Sequence, residues 1–237
     1  RAIKQPEEIM AMQHAIDLTV EAFEKVRALA QEYKHEYQVE ADFTHHFRFS
    51  GARGHAYDPI VAAGHNACTL HYGANSDPLR KGTLLLLDIG ARAQGYAADI
   101  TRTFAIGKPT KRQQAVHAEV AAAQRQIIDL IEPDLGIEDY HKEVDVIMKR
   151  ALINLKLIRD ENDEAYRTYF PHAISHGLGI DVHDALGRPK YLKEGMVLTV
   201  EPGIYIPEEG IGVRIEDDIL VTRDGHKNMS GKLSVDL

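Results

Sequence analysis

The sequence predicts an α+β fold, built as one domain over residues 1–237. The predicted elements run helix, helix, strands and hairpin, and then run in that order again, with the break near Gly107-Lys108-Pro109. No low-complexity or linker-like stretch separates the two halves, about 1–107 and 108–237. A hydrophobic content of 44 % and a charged content of 27 % are those of a globular chain, and 237 residues suffice for a sizeable core. No residue-level repeat accompanies the repeat of pattern.

The first helix spans Ile9 to Ala30, because Ile9, Met12, Ile16, Val20, Phe23 and Val26 keep helical spacing and Pro6-Glu7-Glu8 suits a first turn. A shorter helix is expected from near Glu40. Tyr57 to Cys68 is mixed, interrupted by Pro59 and Gly64. Thr83 to Ile89 reads as a buried strand, and a second strand follows near Tyr96 to Phe104. Helices are expected over Lys111 to Ile131, ended by Pro133 and Gly136, and over Ile137 to Leu155. Asp160 to Thr168 is polar and expected to be loop. A strand at Met196 to Glu201, a turn at Pro207 to Gly210 and a strand at Ile211 to Thr222 complete the chain.

Composition excludes several classes of function. Lys plus Arg is 28 and Asp plus Glu is 36, giving a net charge of −8, unsuited to sequence-independent nucleic-acid binding. The single cysteine, Cys68, excludes an internal disulfide framework and a cysteine-cluster metal site. No apolar run exceeds four residues, as at Leu84 to Leu87, far short of the roughly 20 residues that span a bilayer. No membrane association is expected. No secretory signal is visible, and a cytoplasmic location is expected.

Two pairs of carboxylates carry the chemistry. With the first turn centred on Ala93-Gln94, Asp88 and Asp99 fall opposite each other. With the second centred on Glu208-Glu209, Glu201 faces Glu216. Like charges across a sheet repel, and carboxylates among apolar strand residues are costly unless compensated. Arg102 and Arg214 are available, but four converging carboxylates are best balanced by divalent cations. Alternation places Arg214, Glu216 and Asp218 on one face and Asp217 on the other.

Phe170 to Asp184 adds His172, His176 and His183. His172 and His176 are four apart, but Ala173 stands where a zincin needs Glu, which excludes that motif. His176 and His183 reach one site only if Gly177 and Gly179 bend the chain. His71, in Thr69-Leu-His-Tyr72, is a further candidate, whereas His45, His46 and His65 are read as ordinary polar residues.

Together these residues resemble the metal-dependent aminopeptidases and prolidases of the pita-bread fold, family M24. The motifs are Asp88-Ile-Gly, Gly95-Tyr-Ala-Ala-Asp99-Ile-Thr-Arg-Thr-Phe104, His176-Gly-Leu-Gly, Val182-His183-Asp184, Glu201-Pro-Gly-Ile-Tyr205 and Val213-Arg-Ile-Glu216-Asp-Asp218. The resemblance covers essentially the whole chain. It implies a pseudo-twofold fold with helices over a curved, mostly antiparallel sheet. It also implies two divalent ions, preferentially Mn²⁺ with Co²⁺, Zn²⁺ or Fe²⁺ allowed. Their ligands would be Asp88, Asp99, His176, Glu201 and Glu216, with Asp99 and Glu216 bridging. Glu201 would carry a proton, His71 and His183 would bind the reacting carbonyl, and His172 would line the pocket for the second residue. Tyr57 and Arg214 would orient the ligand carboxylates.

Val182-His183-Asp184 resembles the proline-specific branch, and Ile174 to His183 resembles aminopeptidase P more than prolidase. The implied activity is removal of an N-terminal residue that precedes proline, from small peptides with a free N-terminus. Prolidase and methionine aminopeptidase are the enzymatic alternatives, and an inactive peptide-binding module of the same fold is the non-enzymatic one. A homodimer is within what the resemblance allows. The creatinase-like N-terminal domain usual in that branch is absent from this sequence, and Arg1 to Glu8 resembles its junction with the catalytic domain.

Overall fold

The computed structural model describes residues 1–237. Helix α1 (Pro6–Ala28) starts with Pro at its first position and the Gln5 amide donating to Glu8 Oε2 at 2.8 Å. Of its predicted stripe, Met12, Ile16, Val20, Phe23 and Val26 are buried and Ile9 is half-buried. Helix α2 (Glu36–Phe49) begins four residues before the expected Glu40. The Gln38 side chain accepts from the Lys34 and His35 amides, at 2.6 and 3.1 Å, and so caps the earlier turn. Strand β1 (Gly54–His55) and β2 (Ile60–Ala63) follow, then a 3₁₀ turn over Gly64–Cys68.

Strand β3 (Leu84–Ile89) pairs antiparallel with β2 on one side and β6 (Ile100–Ala105) on the other. Short β4 (Ala91–Ala93) and β5 (Tyr96–Ala97) form the hairpin tip. Here the expected register is wrong by two residues. Asp88 lies opposite Thr101, not Asp99. The turn centres on Gln94-Gly95, which have φ of 51° and 88°. Two successive positive φ angles suit the tight turn whose twist matches the strands, and Gly95 supplies one without strain. The predicted strand over Tyr96 to Phe104 is also broken at Ala98-Asp99.

In the second half, α3 (Lys111–Asp129) opens on a reciprocal cap. Gln113 N donates to Thr110 Oγ1 at 3.1 Å, and Thr110 N donates to Gln113 Oε1 at 2.8 Å. Helix α4 (Ile137–Asn154) follows, and a short α5 (Tyr166–Tyr169) lies in the segment expected to be loop. Strands β7 (Val197–Val200), β10 (Asp217–Thr222) and β11 (Gly225–Asn228) form one sheet, with β8 (Gly203–Ile206) and β9 (Ile211–Arg214) as a hairpin. Gly203↔Arg214 and Val200↔Asp217 keep the expected register, with Glu201 and Glu216 between them.

The halves join along one line. The Glu216 amide donates to the Thr101 carbonyl at 3.0 Å, and the Thr103 hydroxyl donates to the Arg214 carbonyl at 3.1 Å. Each half carries its own apolar core beneath its helices. One is centred on Phe23, Phe43 and Phe47, the other on Val120, Met148 and Ile204. A small third cluster, Ile60, Ala62, Ala67, Leu86 and Tyr205, sits between them. This is the pita-bread arrangement, with helices outside and paired sheets inside. No helix is long and apolar enough to cross a membrane.

Candidate metal centre

Strand alternation aims the site. On β3, Leu85, Leu87 and Ile89 enter the first-half core, while Leu86 and Asp88 face inward. On β6, Ile100 and Phe104 point outward to the same core, and Thr101 and Thr103 point toward the second half. Asp99 stands in the break before β6, Glu216 in the break before β10, and Glu201 at the end of β7. His176 is pinned beside β7 by the Thr199 amide, which donates to its carbonyl at 2.9 Å. The chain then doubles back, with Asp184 N donating to Gly177 O at 2.8 Å. That fold-back stacks the His176 and His183 rings edge to face, 4.4 Å between centroids.

Asp99, His176 and Glu216 each offer a ligand atom, and these atoms lie within 4.8 Å of one another. His176 Nε2 is 3.4 Å from Asp99 Oδ2 and 3.5 Å from Glu201 Oε1. Its Nδ1 lies 3.0 Å from the Gly177 carbonyl, which fixes the proton there and leaves Nε2 free to ligate. Asp88 faces the same space. It accepts from Arg214 Nη2 at 2.6 Å, and the Tyr57 hydroxyl lies 2.6 Å from both Asp88 Oδ1 and Asp99 Oδ1.

The other acids find separate partners. Asp217 pairs with Arg102 at 2.7 Å on the opposite face. Asp218 accepts from the Asp99 amide at 3.2 Å, and its Oδ1 is buried without a partner.

The electrostatics show an excess of buried negative charge. Burial pushes Asp88 up despite Arg214, raises Glu201 to about 7, and raises Glu216 and Asp218 well above the usual carboxylate range. Burial works against a charged His176, but the Asp99 and Glu201 carboxylates outweigh it and raise the ring to about 9, so a cation would bind by displacing the Nε2 proton. Burial and then Arg214 lower His172 to about 4, so its ring is neutral. Protein cations do not balance these acids. The oxygen-rich donor set with one free imidazole nitrogen fits a divalent cation.

All ten residues singled out from the sequence line one cavity of about 450 Å³. A larger cleft of about 1180 Å³ at the start of α4 lies behind Ser175 and Gly177 and contains none of them. His71 is exposed at the rim, and His45 and His46 lie on α2 away from the cavity.

Three contributors went unpredicted. The Thr101 hydroxyl donates to Glu216 Oε2 at 2.6 Å and lies 3.3 Å from Arg214 Nε. The Thr199 hydroxyl is 3.2 Å from Glu201 Oε1. The Tyr205 hydroxyl accepts from Arg214 Nη1 at 2.8 Å and lies 2.9 Å from His172 Nε2. Polar residues at inward positions of otherwise apolar strands were the available signal.

A carboxylate-rich centre with one free imidazole nitrogen, held between two pseudo-equivalent halves, defines a metallohydrolase architecture. Residues 10–223 match the metallopeptidase family M24, and the chain belongs to that family. It is 41 % identical over 245 residues to the Xaa-Pro aminopeptidase of Haemophilus influenzae, covering 96 % of this chain and 57 % of that protein. It is 34 % identical over 234 residues to the Xaa-Pro dipeptidase of Pyrococcus furiosus, covering 97 % of this chain and 63 % of the relative. Among solved structures, aminopeptidase P from E. coli with the inhibitor Pro-Leu superposes with a TM-score of 0.89 at 37 % identity, over 100 % of this chain and 58 % of that one. The chain thus spans about half the length of the curated relatives it matches.

Proposed function

We propose that this chain forms the catalytic part of a dinuclear-metal exopeptidase that releases the N-terminal residue of peptides with proline second. The observation that carries the proposal is the convergence of Asp99, His176 and Glu216 in a cavity that also exposes Asp88, Glu201, His71, His172 and His183. The relatives named Xaa-Pro aminopeptidase support the specificity. Asp88, Asp99, His176, Glu201 and Glu216 would hold two divalent ions, Mn²⁺ by preference. When bound, such ions acidify a water and polarise the scissile carbonyl.

The chain's own groups have separate tasks. Glu201 lies beside His176 and carries a proton from the attacking water to the leaving nitrogen. His71 and His183 donate to the carbonyl oxygen as charge develops on it. His172 stays neutral and is turned by Tyr205 toward the part of the cavity that accepts the second residue. Tyr57 and Arg214 hold Asp88 and Asp99 in ligating orientation. An Xaa-Pro bond has no N–H, so a dedicated pocket suits it better than a general peptidase cleft. Small peptides with a free N-terminus are the proposed partners, and a homodimer and a cytoplasmic setting complete the reading.

The deciding experiment is release of alanine from Ala-Pro-Ala by metal-stripped protein reloaded with Mn²⁺. Chelator-sensitive release supports the proposal. Cleavage of Ala-Pro alone favours the dipeptidase reading, which the Pyrococcus relative makes the second choice. Absence of both turnover and bound metal overturns the enzymatic reading in favour of a peptide-binding module. Glu201→Ala should abolish turnover and weaken metal binding.

A further inference from the structure

Glu36, at the first position of α2, is fully buried and lies outside the cavity lining. Its carboxylate accepts four hydrogen bonds. Oε1 takes the Ala63 amide at 2.8 Å and Asn66 Nδ2 at 3.1 Å, and Oε2 takes the Tyr72 hydroxyl at 2.8 Å and the Asp77 amide at 2.9 Å. Its own amide donates to the Asp77 carbonyl at 3.0 Å. These donors bracket the loop that carries His71.

The two ends of that loop are heavily tied. Asn75 accepts from Val61 N at 3.0 Å and donates to Pro59 O and Glu40 Oε2 at 2.8 and 2.9 Å. The Thr69 amide donates to Asn66 O at 3.0 Å. Between them, residues 70–74 reach the rest of the chain through one side chain, the Tyr72 phenol, which donates to Glu36 and accepts from the Ser76 amide. His71, Gly73 and Ala74 are exposed, and the His71 ring has no partner of its own.

We propose that the Tyr72–Glu36 hydrogen bond is a latch that positions His71 over the metal centre, making Tyr72 and Glu36 positioning residues for the reaction. The proposal rests on the peptidase function given above. An exposed imidazole on an untied loop samples many orientations, and each lost orientation is an entropic cost at the transition state. A phenol anchored one residue away, on a carboxylate that three other donors already hold rigid, removes much of that freedom. Leu70 and Tyr72 also pack against the small cluster around Ile60, Leu86 and Tyr205, so removing the hydroxyl leaves the ring seated.

The test is a double-mutant cycle of Tyr72→Phe and His71→Ala, measured on Ala-Pro-Ala with the Mn²⁺-loaded protein. Tyr72→Phe should lower kcat about tenfold and leave KM within about twofold, with metal content unchanged and Tm lowered by only a few degrees, about what loss of one hydrogen bond to a buried carboxylate costs. In the His71→Ala background the same change should cost nothing more, because the latch acts through that ring. An unchanged kcat in Tyr72→Phe, or an equal loss in both backgrounds, overturns the proposal.

A second readout separates this idea from the peptidase reading. Proteinase K nicking within residues 69–74, located by mass spectrometry, should be several-fold faster in Tyr72→Phe than in the unmodified chain. If the unmodified chain turns over neither Ala-Pro-Ala nor Ala-Pro and binds no metal, the peptidase reading fails, and the nicking rate alone then decides whether the latch exists. An unchanged rate overturns it.

Discussion

Arg214, in the second half of the chain, donates from Nη2 to Asp88 Oδ2 in the first half at 2.6 Å, and both side chains are almost wholly buried. One guanidinium thereby ties the two halves together at the metal centre, since it also reaches Tyr205 and Thr101. Removing it leaves Asp88 buried and unpaired. Arg214→Met should cost about 3–5 kcal/mol of stability in the metal-free protein. Metal affinity should fall about 10–100-fold, because the ligand carboxylate loses its orienting partner. Urea unfolding and isothermal titration with Mn²⁺ check both.

The His176-to-His183 fold-back depends on bare backbone. A Cβ on Gly177 would lie 2.4 Å from the Asp184 carbonyl oxygen and 2.7 Å from the Leu186 side chain. Gly177→Ala must therefore push the His183 arm away from His176. The expected cost is about 1–3 kcal/mol, as for overpacking elsewhere, with a loss of kcat larger than the loss of stability would explain. Thermal unfolding and steady-state kinetics on one sample separate the two.

Metal binding should stabilise the fold, because the cation relieves repulsion among Asp88, Asp99, Glu201 and Glu216. At roughly 100 times Kd, the gain is about 2.7 kcal/mol. For a chain of this size that raises Tm by roughly 5–10 °C. Glu216→Gln should shrink the Mn²⁺-induced shift in a melting scan, and an undiminished shift would place the cation elsewhere.

His117 on α3 gives a pH dependence remote from the metal centre. It is buried, its Nε2 has no partner, and burial lowers it to about 4; Asp236 opposes the shift, and Arg102 and Arg27 add to it. A histidine lowered in the folded state binds its proton more readily when unfolded. Its effect is absent above pH 6.5, and it destabilises progressively as pH falls from about 6.5 toward about 4. The limiting slope is about 1.4 kcal/mol per pH unit. His117→Leu should flatten this part of the profile in urea titrations, and an unaltered slope would refute the assignment.

The elements and the identities of the acids and histidines were legible because helical period and strand alternation are local properties. Met12 to Val26 on α1 and Arg214-Glu216-Asp218 against Asp217 follow from spacing alone. The second hairpin's register was legible too, since Pro207 and Gly210 mark its turn.

The first hairpin was different. The sequence predicts a turn centred on Ala93-Gln94, whereas the hairpin turns at Gln94-Gly95, where both residues take positive φ to match the strand twist. Asp99 is therefore not opposite Asp88. It reaches the site because the strand breaks at Ala98-Asp99. Likewise, both arginines were visible as counter-ions, but their division, Arg102 to Asp217 and Arg214 to Asp88, depends on which sheet face meets which half. The Glu36 hub gathers residues up to 41 positions apart within the first half, and the fold-back of His183 onto His176 lies within the second, so neither follows from a local period. The sequence by itself determined which acids and histidines are the candidates for the chemistry, and all ten candidate residues line one cavity. Tertiary packing decided which of them share a hydrogen bond, because pairing of non-local groups depends on register and sheet-to-sheet placement, which no local period specifies.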